Sequence, residues 1–283
     1  MCRQLAPIVG DLATNSAVTC AAIDEAVTAG AQVVVLPELA TSGYMFESVA
    51  EARSTALGAD SALFEDWAAL AARGSVVVIG GFCELGRTGE VFNSAAIVDG
   101  TGVLAVYQKL HLWDNEKQFF TPGSSAPPIV DTQHGRIGVV ICYDLEFPEL
   151  TRSVALAGTD LLAVPTNWPL AYRPEGERPP EVQIAIAAAR ANRMAIACCD
   201  RTGTERGQQW TGGTTVIDEN GWVVAAAGHA DVATAELDLT LGRNKVLTDR
   251  AHAFEDRRPE FYRSLQDPVT HHAHPRITGP PHR

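Results

Sequence analysis

The amino-acid sequence predicts a layered α/β protein whose sheets carry helices on both faces. Helix-period segments alternate along the chain with short apolar runs. Those runs, among them "QVVVLPE", "SVVVIGG" and "DLLAVPTNW", are continuous instead of alternating with polar residues, so each strand is buried on both faces. With 283 residues, 46% of them hydrophobic, a sizeable core is available. No linker divides the chain, which reads as one domain over residues 1–266 and an extended, apolar-poor tail over 267–283, "DPVTHHAHPRITGPPHR".

In chain order, "NSAVTCAAIDEAVTAGA" reads as a helix capped by Asn15, with Val18, Ala22, Ala26 and Ala29 on one face and Gly30 at the exit. "QVVVLPE" follows as a buried strand. "DSALFEDWAALAARG" is a second helix with Leu63, Trp67 and Leu70 on one stripe, and "SVVVIGG" the next strand. "FNSAAIVDGTGVLAVYQK" reads as two strands joined by a Gly-rich turn; its G-x-G-x-x-A opens no helix, so it is a hairpin and not a dinucleotide fingerprint. "GRIGVVICYD" is a strand, "FPELTRSVALAG" a helix with Pro148 at its start, and "DLLAVPTNW" a strand. The Pro- and Glu-rich stretch 168–180 is a surface loop before the helix "PPEVQIAIAAARANR" and the strand "MAIACCDR". "TTVIDENGWVVAAA" predicts a hairpin with a type I′ turn at Asn220-Gly221.

Charge narrows the function classes. Acidic residues outnumber basic ones 34 to 22, and a net charge of −12 repels phosphate backbones and anionic lipid surfaces, which argues against nucleic-acid and membrane partners. No apolar stretch approaches the roughly 18 residues of a membrane span. The start "MCRQLAPIVGDL" does not resemble a secretory leader, and six irregularly spaced cysteines in a chain of this size point to reduced thiols in a cytoplasmic protein. Cys20, Cys83, Cys198 and Cys199 read as core filling, and "HHAHP" as part of a solvated tail more than a metal site. The chain carries no C-x-x-C, no G-x-S-x-G elbow and no phosphate-binding P-loop, which sets aside thiol-redox, serine-hydrolase and P-loop NTPase readings.

Three strand ends carry residues with chemistry: Glu38 follows "VVVLP", Lys109 follows "VLAVYQ", and Cys142 ends "GVVI". Each admits a bland reading, Cys142 as a small core side chain and the two charges as solvated loop residues. Their shared place is more telling than any one of them, because ligands of open α/β folds gather at the carboxyl ends of strands. The types also suit one task. A carboxylate can take the proton of a thiol, and an ammonium favours the negative charge that develops after attack on a carbonyl or nitrile carbon.

"VVVLPELATSGY", "YQKLHLWDNEKQFFTPG" and "GVVICYDLEFPE" resemble, in this order, the three signature segments of the nitrilase superfamily, the carbon–nitrogen hydrolases. The resemblance runs from about residue 4 to "DRRPEFY" at 256–262. It implies an α-β-β-α sandwich, commonly paired across a two-fold axis into an αββααββα dimer within a homodimer or higher homo-oligomer, and no metal or organic cofactor. It assigns Glu38 as general base and acid, Lys109 as oxyanion stabiliser, Cys142 as nucleophile, and Glu116 as a second carboxylate that positions Lys109 and substrate. The N–H of Tyr143 completes the oxyanion hole, and Glu38 is expected to lie buried beside the thiol.

The expected activity is hydrolysis of small aliphatic amides through a thioester. Nitrile or N-carbamoyl hydrolysis by the same residues is the alternative, and a catalytically silent binding protein on the same fold is the rival from another class. Tyr44, Trp113, Asn167 and Trp168 lie within or near the signature loops and are candidate pocket walls, although Trp113 could equally pack under the Lys109 loop. Glu146 stands where many relatives carry an arginine suited to carboxylate-bearing substrates. An anion there favours neutral or amine-bearing amides, unless Glu146 is salt-bridged within the protein. The short start leaves the first edge of the sheet unassigned.

Overall fold

The computed structural model describes residues 1–228 and 230–267; the proposed tail, with "HHAHP", lies almost wholly outside them. Strands follow in the order β1 (Cys2–Arg3), β2 (Val33–Val35), β3 (Val77–Leu85), β4 (Val91–Asp99), β5 (Gly102–Gln108), β6 (Ile129–Thr132), β7 (Gly135–Val139), β8 (Leu161–Pro165), β9 (Ala195–Cys199), β10 (Thr204–Glu205), β11 (Gln208–Gln209), β12 (Thr215–Ile217), β13 (Val223–Ala226) and β14 (Val232–Ala233). One six-stranded sheet has the order β14-β1-β2-β3-β4-β5 and a second has the order β13-β12-β9-β8-β7-β6. Helices α1 (Leu12–Thr28) and α3 (Ala62–Gly74) cover the first, and α5 (Pro148–Leu156) and α6 (Pro180–Asn192) the second; two short helices, α2 (Val49–Ser54) and α4 (Glu116–Phe119), sit in loops. The result is the α-β-β-α sandwich.

The continuous apolar runs arise because neighbouring residues serve different layers. Val35, Val77 and Ile79 of the first sheet pack between the sheets with Ala163 and Ala197 of the second. Val34, Leu36 and Val78 face outward onto Ile23, Ala26, Phe64 and Trp67 of α1 and α3. Both strand faces are dry, so neither can be polar.

Four local features differ from the sequence reading. Helix α1 begins earlier: Asp11 caps it by accepting from Thr14 N at 3.0 Å. Asn15 is instead buried inside the helix, accepting from Ile8 N at 2.8 Å and donating to Ile8 O at 2.7 Å and Thr41 O at 3.2 Å. The buried face is consequently Asn15, Thr19, Ala22, Ile23 and Ala26, and Val18 is exposed. In the β12–β13 turn only Gly221 has positive φ, at 83°; the Asp218 carboxylate accepts from Asn220 N and Trp222 N, an Asx turn that stands in for the type I′ geometry. Strand β6 carries only two apolar residues and leaves no clear pattern in the sequence. The short start is no edge, since β1 lies between β2, parallel, and β14, antiparallel.

Among the described residues no helix is long and apolar enough to cross a membrane. All six cysteines are free thiols, with Cys2, Cys83, Cys142, Cys198 and Cys199 buried.

Candidate active site

Three strand ends meet at one rim. Strands β2 and β3 are parallel, and β5 returns in the same direction after the antiparallel β4, so the chain leaves β2 and β5 at the same end. Beyond β2 the chain turns sharply, with Leu39 at φ 48° directly after Glu38. The turn presses onto β3 at Gly81, where a Cβ would lie 2.4 Å from Leu39 N and 2.6 Å from Glu38 Cα. Lys109 is still anchored to β4 by its N–H, which donates to Asn93 O at 2.9 Å. Cys142 follows β7 at φ 47°, a left-handed conformation costly for a non-glycine residue, and opens the 3₁₀ turn Cys142–Glu146. The side-chain amide of Asn167, past β8, donates to Glu38 O at 2.9 Å and ties the second sheet to the first at this rim.

Lys109 is fully buried between two carboxylates. Its Nζ donates to Glu38 Oε1 at 2.7 Å and to Glu116 Oε1 at 2.8 Å. Burial opposes the charge, but Glu116 and Glu38 outweigh it and raise the ammonium well above the ordinary lysine range. Two of its three N–H bonds are thereby used and one is left. Glu116 also accepts from the Tyr44 hydroxyl at 2.7 Å and from Trp113 N at 3.0 Å. Glu38 accepts a second bond from Asn93 Nδ2 at 2.7 Å on the same Oε1, while its Oε2 is buried with no hydrogen-bond partner among the described residues.

Burial, reinforced by the charge of Glu116 and opposed by Lys109, pushes Glu38 up to about 7. Burial and the charge of Glu38 hold the Cys142 thiol well above the ordinary cysteine value, against the pull of Lys109 and the Asn167 N–H. The resting site therefore contains a neutral thiol, a cation locked in place, and a carboxyl group poised to exchange a proton near neutral pH.

A cavity of about 130 Å³ opens beside Glu116, walled by Tyr44, Phe46, Trp113, Phe119, Phe120, Pro169 and Trp210, with Asp114 and Gln208 at its lining. Trp113, 40% exposed, lines this cavity and packs edge-on against Tyr143 of the Cys142 turn at 4.8 Å. Asn167 and Trp168 are buried outside the lining, and Glu146 is exposed, also outside it, facing Glu181 with no cation paired to it among the described residues. A larger groove of about 630 Å³ runs past Val33 and Leu161 at the amino ends of β2 and β8, remote from these groups.

The family model "Carbon-nitrogen hydrolase" matches residues 2–244. A protein named "Nitrilase" from Pyrococcus abyssi is 36% identical over 247 residues, covering 85% of this chain and 89% of that one. The chain belongs to the carbon–nitrogen hydrolase family. It is a carbon–nitrogen hydrolase of the nitrilase superfamily. An "(R)-stereoselective amidase" from Pseudomonas sp. is 31% identical over 239 residues, covering 83% of each chain. An amidase from Nesterenkonia sp. has the same fold, with TM-score 0.73 at 24% identity over 93% of this chain and 94% of that one.

Sequence reasoning missed several groups that hold this hydrolase's site together. Asn93 is a lone amide in the apolar strand "FNSAAIV", a buried polar residue that needs a partner, and that was its only signal. Asp144, fully buried, accepts from Ile141 N at 3.1 Å, Tyr107 OH at 2.9 Å, and His111 N at 3.0 Å, and pairs with His111 Nδ1 at 2.8 Å. It fastens the Lys109 segment to the Cys142 turn. Asp200 accepts from Trp168 N at 3.0 Å, Arg201 N at 2.9 Å and Gly213 N at 2.8 Å, joining the loops after β8 and β9.

Proposed function

We propose that this hydrolase converts small aliphatic amides, amine-bearing ones included, to carboxylic acid and ammonia through a thioester on Cys142. Residues 1–266 form its single catalytic domain, and two copies form a homodimer. The observation that carries the reading is the placement of Lys109 Nζ on Glu38 and Glu116 at once, with the second oxygen of Glu38 left without a hydrogen-bond partner among the described residues.

Glu38 takes the thiol proton as Cys142 sulfur attacks the amide carbon. The oxygen of the tetrahedral intermediate is held by the remaining N–H of Lys109 and the Tyr143 amide, which as an early amide of a helical turn has no partner within it. The C–N bond breaks, Glu38 gives its proton to nitrogen, and ammonia leaves a thioester behind. Glu38 then takes a proton from water, the hydroxide adds to the thioester carbon, and collapse frees the acid while the proton returns to sulfur. A group serving both directions works best near neutral pH, in keeping with the upward shift of Glu38.

The cavity beside Glu116, walled by Tyr44, Phe46, Trp113, Phe119, Phe120 and Trp210, is compact and mostly apolar, which suits a small aliphatic chain. An amine on that chain would meet Asp114 at the lining. Nitrile hydrolysis is the second reading, favoured by the name of the Pyrococcus abyssi relative. Ammonia release from propionamide, propionitrile, an aminoalkyl amide and an N-carbamoyl amine tests the choice. Fastest turnover of the amides is expected; turnover of the nitrile or the carbamoyl compound alone would overturn it.

A further inference from the structure

The segment between β9 and β12 folds back over the candidate site. Strands β10 and β11 form a ribbon whose two-residue turn, Arg206-Gly207, has φ 47° and 86°, as a type I′ turn requires. The ribbon carries Glu205 into the interior and brings Trp210 to the cavity wall. Glu205 Oε2 accepts from Tyr44 N at 3.0 Å and from Met45 N at 2.8 Å. The same oxygen is 3.1 Å from Arg201 Nη1, and both side chains are nearly inaccessible to solvent. Arg201 is in turn fixed by donating to Pro7 O at 2.8 Å and by stacking over the Trp210 ring, 4.7 Å from its centroid. Trp210 meets the Tyr44 ring edge-on at 5.4 Å. Tyr44 is thus held through its main chain by Glu205 and through its ring by Trp210, and its hydroxyl rests on Glu116.

We propose that Glu205, anchored by Arg201, is a positioning residue that sets the Tyr44 hydroxyl on Glu116 and through it the Lys109 ammonium. The proposal rests on the function given above for those groups. A buried carboxylate facing two main-chain N–H groups of one loop fixes that loop's height over the site, since both bonds lengthen together if the carboxylate retreats. The ion pair with Arg201 compensates the charge that this arrangement buries. Glu205 touches neither substrate nor reacting atoms, so its effect must pass through Tyr44.

Tyr44→Phe, Glu205→Gln, Glu205→Asp and the Tyr44→Phe/Glu205→Asp double variant test this. Glu205→Asp keeps the charge beside Arg201 and withdraws the acceptor by one methylene, so it decides the matter if Glu205→Gln does not fold. Two readouts are taken: kcat/KM on propionamide, and the pH dependence of Cys142 alkylation by iodoacetamide. Loss of one charge-assisted hydrogen bond predicts a fall of about tenfold or more for Tyr44→Phe. Glu205→Asp is expected to fall similarly, mainly in kcat, with a matching shift of the alkylation profile. The double variant is expected to be no worse than Tyr44→Phe alone, because one interaction is removed twice. A purely structural role for Glu205 predicts losses that multiply. Multiplied losses, or a folded Glu205→Asp variant with wild-type kinetics and alkylation, overturn the proposal. A wild type that releases no ammonia while both variants still shift alkylation alike overturns the proposed function and leaves this inference standing.

Discussion

Asn167 donates its side-chain amide to the main-chain oxygen of Glu38 at 2.9 Å, across 129 residues of sequence and from one sheet to the other. The bond makes the orientation of Glu38 depend on the meeting of the two sheets. Asn167→Ala removes the donor and leaves a buried carbonyl unpaired, a cost of about 1–3 kcal/mol. Thermal melting is expected to show that modest loss, while kcat on propionamide falls by about tenfold or more because Glu38 is no longer aimed. A variant with lowered melting temperature and unchanged kcat would separate Asn167 from the chemistry.

Asp144 binds the Lys109 segment and the Cys142 turn through both its oxygens. Asp144→Asn sets an NH₂ group against donors and is expected to cost about 3 kcal/mol. Urea unfolding should show the midpoint moving with an unchanged slope. Alkylation of Cys142 in the folded fraction should slow as the turn loosens, and a wild-type alkylation rate would show that the turn holds without Asp144.

The pH profile follows from Glu38. With Glu38 raised to about 7, kcat/KM is expected to fall below that pH with unit slope, since the protonated carboxyl cannot accept the thiol proton. Stability has the opposite dependence. Between the unfolded value near 4.5 and the folded value near 7 the native state holds a proton that the unfolded chain has lost. This contribution is complete below about 4.5 and is lost as pH rises through 7. Wild type should therefore gain stability relative to Glu38→Gln as pH falls through this window, as chemical denaturation at several pH values would reveal.

Gly81 admits the turn that carries Glu38. A Cβ there would lie 2.4 Å from Leu39 N, and both partners are backbone. Gly81→Ala is expected to lower stability by about 1–3 kcal/mol and to reduce turnover more than a distant destabilising variant matched to it in melting temperature. Equal turnover in the two variants would mean that the turn tolerates displacement.

The layers of the fold were legible because both faces of the central strands are dry, and that condition writes itself into the sequence as "VVVLP" and "SVVVIGG". Glu38, Lys109, Glu116 and Cys142 stand out as candidates because each lies in a segment resembling a known signature, three of them just past an apolar run. The supporting groups left no such trace. Asn93 and Glu38 are 55 residues apart, and Glu205 and Tyr44 161 apart, so neither pairing creates a local pattern. The start of α1 was misplaced because Asp11 and Asn15 are both good caps, and only the position of Ile8 and Thr41 decides which of them turns inward.

Everything proposed for this hydrolase depends on bond formation at the sulfur of Cys142. Brief incubation with propionamide, acid quenching and mass spectrometry of the digested protein measures it directly. A propionyl group on the peptide carrying Cys142, absent from Cys142→Ser and discharged on longer incubation, is the expected result. Acid and ammonia released at an undiminished rate by Cys142→Ser, or an acyl group found on another residue, would contradict it.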